Sequence, residues 1–79
     1  MNNVVIETLR CAQKLGGIVR VFCLNGFQIN GLVKFVDDDS VVIVDKSKQW
    51  HALLIKNLST VDASKDVINS AINNIQQNR

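Results

Sequence analysis

The chain has no proline among its 79 residues, so no Pro-rich linker divides it, and no internal repeat is visible. It has only two cysteines, Cys11 and Cys23, which form no CxxC motif, and no stretch resembles a secretory signal. That pattern excludes a disulfide framework, and both thiols read as small reduced hydrophobes of a cytoplasmic protein. Long apolar runs are missing too. Apolar residues make up 47% of the chain, yet none of their runs approaches the roughly 18 residues that a membrane span needs. We therefore expect a soluble protein with no membrane partner. A strong charge excess is also absent: the formal charge of +2 permits a nucleic-acid partner without demanding one. His51 is the sole histidine, and no Cys, Ser or carboxylate stands at a spacing that would make a dyad or metal site with it. The run Asp37, Asp38, Asp39 lacks the glycine and distal glutamate of a calcium loop. Neither enzyme activity nor a cofactor or metal is expected.

What is present fits one small domain. A domain of this size buries only about 60% of its unfolded surface and is marginal alone, so help from oligomerisation is expected. The opening segment NVVIETLRCAQKLGG sets Val5, Leu9 and Ala12 on one helical face, with Arg10, Gln13 and Lys14 elsewhere, and Gly16 and Gly17 end it. From Ile18 the period changes to two and runs to Leu24, followed by Asn25 and Gly26. Both can take the positive φ of a type I′ turn. A two-residue turn pairs Leu24 with Phe27, Phe22 with Ile29 and Arg20 with Gly31 on one face, with Val19, Val21 and Cys23 on the other. The second strand continues to about Val36, bending at Gly31, and stops at Asp37 to Asp39. SVVIVD is a third strand. After the KSK turn comes QWHALLIK, whose apolar Ala52 to Ile55 reads as a strand buried on both sides. LSTV makes a short fifth strand.

Five short strands without room for helical crossovers must be antiparallel, and a sheet this small closes as an SH3-like barrel whose edges still need cover. Beyond Val61, ASKDVINSAINNIQQNR puts Val67, Ala71 and Ile75 in one row and Ile68 with Ile72 in the next, an amphipathic helix with Ser64 as N-cap and an Asn/Gln outer face. The expected division is residues 1–62 as the barrel with its N-terminal helix and 63–79 as a helical tail. We expect the tail to dock, on its own barrel or across a subunit boundary.

A helix, a Gly-Gly link, VFCLNGFQING, Asp37 after the second strand and LSTV at the end together resemble the bacterial Sm-like RNA chaperone family, Hfq, from about Ile6 to Val61. The resemblance implies a mostly β Sm/SH3-like barrel in a homohexameric ring. It also implies uridine-rich RNA near the pore on a proximal face and adenine-rich RNA on a distal face. By position, the distal residues are Phe22, Gly26, Phe27, Gln28, Ile29 and Asn30, with Thr60 nearby. Aromatic rings stack on bases, and amides such as Gln28 and Asn30 reach base edges or sugars. The residues alone also allow Phe22, Phe27 and Ile29 to be the core face of a hairpin.

The family's proximal Lys-His pair is altered here. LLIKNLST offers Lys56 and Asn57, without the histidine that would contact uracil. An extra aspartate lengthens the loop after the second strand, where Asp38 and Asp39 either repel phosphate or form a solvated turn. On the outer rim, Arg10 and Lys14 lie one helical turn apart, suited to phosphate or simply solvated. His51 falls near the distal surface by family position. The implied function is a non-catalytic chaperone that binds single-stranded, preferentially adenine-rich RNA and promotes RNA pairing in post-transcriptional regulation. The competing reading is a ring with weakened RNA binding that serves protein interaction or assembly.

Overall fold

The computed structural model describes residues 4–77, so Asn3 of the expected first helix and Asn78 and Arg79 of the tail lie outside it. Helix α1 (Val4–Leu15) ends as its glycines dictate. Gly16 takes φ +74°, and the Gly17 N–H reaches back to the Ala12 carbonyl at 3.0 Å, which is a Schellman closure. Five antiparallel strands follow: β1 (Ile18–Cys23), β2 (Gln28–Val36), β3 (Ser40–Asp45), β4 (Trp50–Leu54) and β5 (Leu58–Asp62), then helix α2 (Lys65–Gln77). The order across the sheet is β4-β3-β2-β1-β5. The ends of β4 and β5 are joined by one 3₁₀ turn of 3 residues, Ile55–Asn57. That link spans about 14 Å at most, whereas the edges of a flat five-stranded sheet stand about 19 Å apart. The sheet must therefore curl, which is the expected barrel shape.

The turn between β1 and β2 differs from the two-residue loop expected from Asn25-Gly26. Cys23 N–H bonds the Phe27 carbonyl at 2.8 Å and Gly26 N–H bonds the Cys23 carbonyl at 2.9 Å, enclosing a three-residue loop of Leu24, Asn25 and Gly26. A type I′ turn needs positive φ at both central residues. Only Gly26 has it, at φ +90°. Asn25 instead uses its side chain, Oδ1 accepting the Phe27 N–H at 3.0 Å. The register is thereby one residue away from expectation: Val21 faces Ile29, Phe22 faces Gln28, Arg20 faces Asn30 and Val19 faces Gly31. A one-residue slip exchanges the faces of the whole second strand. Ile29 therefore joins Val19 and Val21 in the core, not Phe22.

The core on the inner face, toward α1, comprises Leu9, Ala12, Val19, Val21, Ile29, Val33, Val41 and Ile43. The ladder is interrupted at Lys34, between the pairs of Val33 and Phe35, and Gly31 matters because a Cβ there would strike the Val44 carbonyl oxygen. β4 also departs from expectation. Ala52 and Leu54 are exposed and Leu53 is half-buried, because β4 is an edge strand covered on one face only, and Ile55 has already left the strand.

Ser64 caps α2 as expected, its Oγ accepting the Val67 N–H at 3.3 Å. The helix docks on α1 of its own chain and adds Val67 and Ala71 to the core. Along the flank it covers, α1 buries Cys11, whose Sγ accepts a bond from Asn74 Nδ2 at 3.5 Å. Burial, with a smaller push from Glu7, holds the Cys11 thiol above its ordinary value, so it stays protonated, and both cysteines are free. A 13-residue helix is marginal in isolation, so docking must hold it. Amides 66 to 75 should exchange well below the random-coil rate, and Val67→Ala should cost about 1.5–3 kcal/mol in chemical denaturation.

Candidate functional site

Alternation along the corrected register decides which candidate side chains meet. Phe22 is half-buried on the outer face, with Gln28 opposite it on β2 and Thr60 opposite it on β5. The next row pairs Arg20 with Asn30 and with Asp62. Gln28 Nε2 donates to Asn30 Oδ1 at 3.3 Å, so the two amides form one unit on the exposed surface. Ser59 Oγ bonds the Phe22 carbonyl at 3.2 Å and ties β5 to the hairpin. Gly26 and Phe27 stand at the tip, Phe27 being 54% exposed. An aromatic ring with about half of its surface open leaves a face available for stacking. Ile29 is different: at 4% exposure it belongs to the core and reaches no outer surface of this chain.

The other candidates do not join this group in one plane. Lys56 and Asn57 are exposed in the 3₁₀ turn, where the Asn57 carbonyl accepts the Leu24 N–H at 2.8 Å and moors the hairpin loop. Arg10 pairs with Asp38 at 3.0 Å and lies 4.0 Å from Glu7, which offsets its charge, while Lys14 remains exposed on the last turn of α1. With Gln13 and Asn74 they line a groove of about 450 Å³. The acidic run is a built turn: Asp37 Oδ1 accepts the N–H of Asp39 at 2.8 Å and of Ser40 at 2.7 Å. Only Asp38 turns toward a cation.

Sequence reasoning missed the partner of His51. Its Nε2 lies 2.8 Å from Asp45 Oδ2, while Asp45 Oδ1 accepts the N–H of Ser47 at 2.8 Å and of Gln49 at 3.0 Å. An aspartate opening a KSK turn is the signal that was available. Asp45 thus clamps the β3–β4 turn and orients the start of β4. These bonds, that of His51 first and that of Gln49 next, hold the Asp45 carboxyl below its ordinary value of 3.8. No group of three or more metal-ligating side chains occurs among the described residues.

This geometry has relatives. The chain is 42% identical over 53 residues to RNA-binding protein Hfq of Thermoanaerobacter sp., a match covering 67% of this chain and 62% of the relative. It is 40% identical over 50 residues to RNA-binding protein Hfq of Caldanaerobacter subterraneus subsp. tengcongensis, covering 63% and 58%. A crystal structure of the pleiotropic translational regulator Hfq matches with a TM-score of 0.67 at 27% identity, covering 75% of this chain and 97% of that one. The chain is an Hfq-like family member. No family model matches it. The matched segments thus span about three-fifths of these curated Hfq relatives. In this Hfq-like chain the Sm-like fold runs through α1 and the five strands, and α2 packs against α1.

Two outcomes follow. Ile29→Ala should cost about 2–5 kcal/mol of stability as a buried aliphatic, whereas Phe27→Ala should leave the denaturation midpoint nearly unchanged. A lowered Asp45 pKa stabilises the fold above the unfolded value, near pH 4, and this contribution is lost as pH falls through the folded value. Circular dichroism across an acid titration should therefore show Asp45→Asn losing stability at neutral pH and converging with the parent in acid.

Proposed function

We propose that this Hfq-like chain assembles into a homohexameric ring that binds single-stranded, adenine-rich RNA and promotes pairing between RNA strands in post-transcriptional regulation in the cytoplasm. It acts by raising local RNA concentration, without catalysis or cofactor. The observation that carries the reading is the outer-face group of Phe22, Gln28, Asn30 and Thr60 with Phe27 open at the tip. An aromatic plane beside amides that reach base edges is what recognition of unpaired bases requires. The altered Lys56-Asn57 stretch supports a preference for adenine over uridine. Residues 1–62 form the RNA-binding unit and 63–79 the tail.

The ring rests on the sheet edges. Within one chain β4 and β5 each pair on one side only. Pairing β4 of one copy with β5 of the next would satisfy both ladders and remove the open edges. A second reading, a ring whose role is protein contact through α2, draws on the charge of Arg10 being offset by Asp38 and on the exposed Asn and Gln residues of α2.

Titration of the full chain with adenine-rich and uridine-rich oligonucleotides at two salt concentrations tests both. Adenine-rich RNA should bind more tightly, with affinity falling as salt rises. Phe27→Ala should lose about 1–3 kcal/mol of that affinity. Tighter uridine binding would reverse the assignment, and no binding by a multimeric protein would favour the second reading. A monomeric mass in light scattering at micromolar concentration would end both.

A further inference from the structure

The outer face carries an apolar patch that the hairpin group does not use. Register sets Ile18 beside Leu32, Leu32 beside Val44 and Val44 beside Trp50, so one row crosses β1, β2, β3 and β4. Phe35, Val42 and Ala52 form the next row. The solvated face of an antiparallel sheet is ordinarily polar. Here Ile18 is 63% exposed, Phe35 50% and Trp50 65%. Between this patch and Phe22 lies a cavity of about 450 Å³, lined by Ile18, Arg20, Asn30, Lys46 and Asp62. Neither Arg20 nor Lys46 makes an ion pair among the described residues.

Size and charge decide what covers the patch. Four strands at about 4.8 Å spacing and two rows about 7 Å apart make an area of a few hundred Å² at most, against about 800 Å² per partner for a standard protein interface. Such an area suits a few nucleobases. Arg20 and Lys46, neither ion-paired among the described residues, line the cavity at the Arg20–Asn30 row, on the side of the patch toward Phe22, where the backbone of a strand running from Trp50 to Phe22 would pass, and the Asp62 carboxylate in the same cavity would turn that backbone toward Lys46. The patch is continuous with the hairpin group through the Arg20–Asn30 row.

We propose that Trp50 is a base-stacking residue for single-stranded nucleic acid, with Ile18, Leu32 and Val44 as the floor of its subsite and Lys46 and Arg20 holding the phosphates that lead to it. This extends the RNA-binding reading above and rests on it. The subsite lies about 14 Å across the strands and about 13 Å along them from Phe22, so a strand spans both only when several nucleotides are bound. A longer oligoadenylate therefore gains from Trp50 and a very short one does not.

Trp50 is the sole tryptophan and the chain has no tyrosine, so protein fluorescence excited near the indole band reports this residue alone. The full chain is titrated with an oligoadenylate, following Trp50 emission in one experiment and anisotropy of the fluorescein-labelled strand in the other. Emission should change in step with anisotropy. Trp50→Ala should weaken binding about fivefold to a hundredfold, while Trp50→Phe, which keeps a ring, recovers most of it. Lys46→Gln should lower the salt slope by about one. Circular dichroism confirms that each variant folds. Binding by anisotropy with unchanged Trp50 emission and unchanged Trp50→Ala affinity overturns the subsite and leaves the RNA reading standing. No binding of labelled adenine- or uridine-rich strands overturns both. A Trp50→Ala variant that binds like the parent per subunit but shows a smaller mass in light scattering makes the patch a contact between copies, which also overturns the subsite.

Discussion

Gly26, in the left-handed region at φ +90°, determines which face of β2 is which. With only that residue in positive φ, the chain reverses through three residues, and the pairing of Val21 with Ile29 follows. From that pair the rest is forced by alternation: Val19, Val33, Val41 and Ile43 turn into the core, while Phe22, Gln28 and Asn30 point out. Had the loop held two residues, Gln28 and Asn30 would sit against Leu9 and the amides would have no outer surface. The core and the candidate site are thus two consequences of one turn.

A second constraint comes from chain length. Because a 3₁₀ turn of 3 residues must carry the chain from one edge of the sheet to the other, the strands curl and bring the loop between β1 and β2 against the turn that precedes β5. The bond from Leu24 N–H to the Asn57 carbonyl fastens the two. Thr60 comes to lie opposite Phe22 only because of this curl. Positions that lie far apart in the chain, near residues 22 and 60, then share one surface.

Much of this was legible in the residues. The Gly16-Gly17 stop, the period change at Ile18, the aspartate turn and the Ser64 cap each follow from local chemistry, and each is found in the fold. The hairpin register was not, because Asn25-Gly26 fits both a two-residue I′ loop and a three-residue loop. The choice turns on whether Asn25 takes positive φ or bonds Phe27 N–H with its side chain. β4 was misread for a different reason. ALLI has no alternation, but an edge strand at the limit of a small sheet leaves Ala52 and Leu54 open, and burial on both faces would require a neighbour that one chain does not contain. The exposed row ending at Trp50 depends on three successive registers and cannot be read from any single strand.

The two surfaces left unsatisfied make different demands. At the edges, β4 and β5 present backbone donors and acceptors that lie in the plane of the sheet, and only another strand meets them well. On the outer face, Phe22, Leu32 and Trp50 project perpendicular to that plane, and flat or apolar partners meet them. Hydrogen bonds in the plane and side chains normal to it do not compete for space. Strand pairing between copies would therefore leave the outer face open and bring several such faces onto one side of the assembly. The inner face offers no such surface, because Val19, Val21, Ile29, Val33, Val41 and Ile43 are already buried in one core with Leu9 and Ala12 of α1. Whatever this chain binds through side chains of the sheet must come to the face opposite its helices.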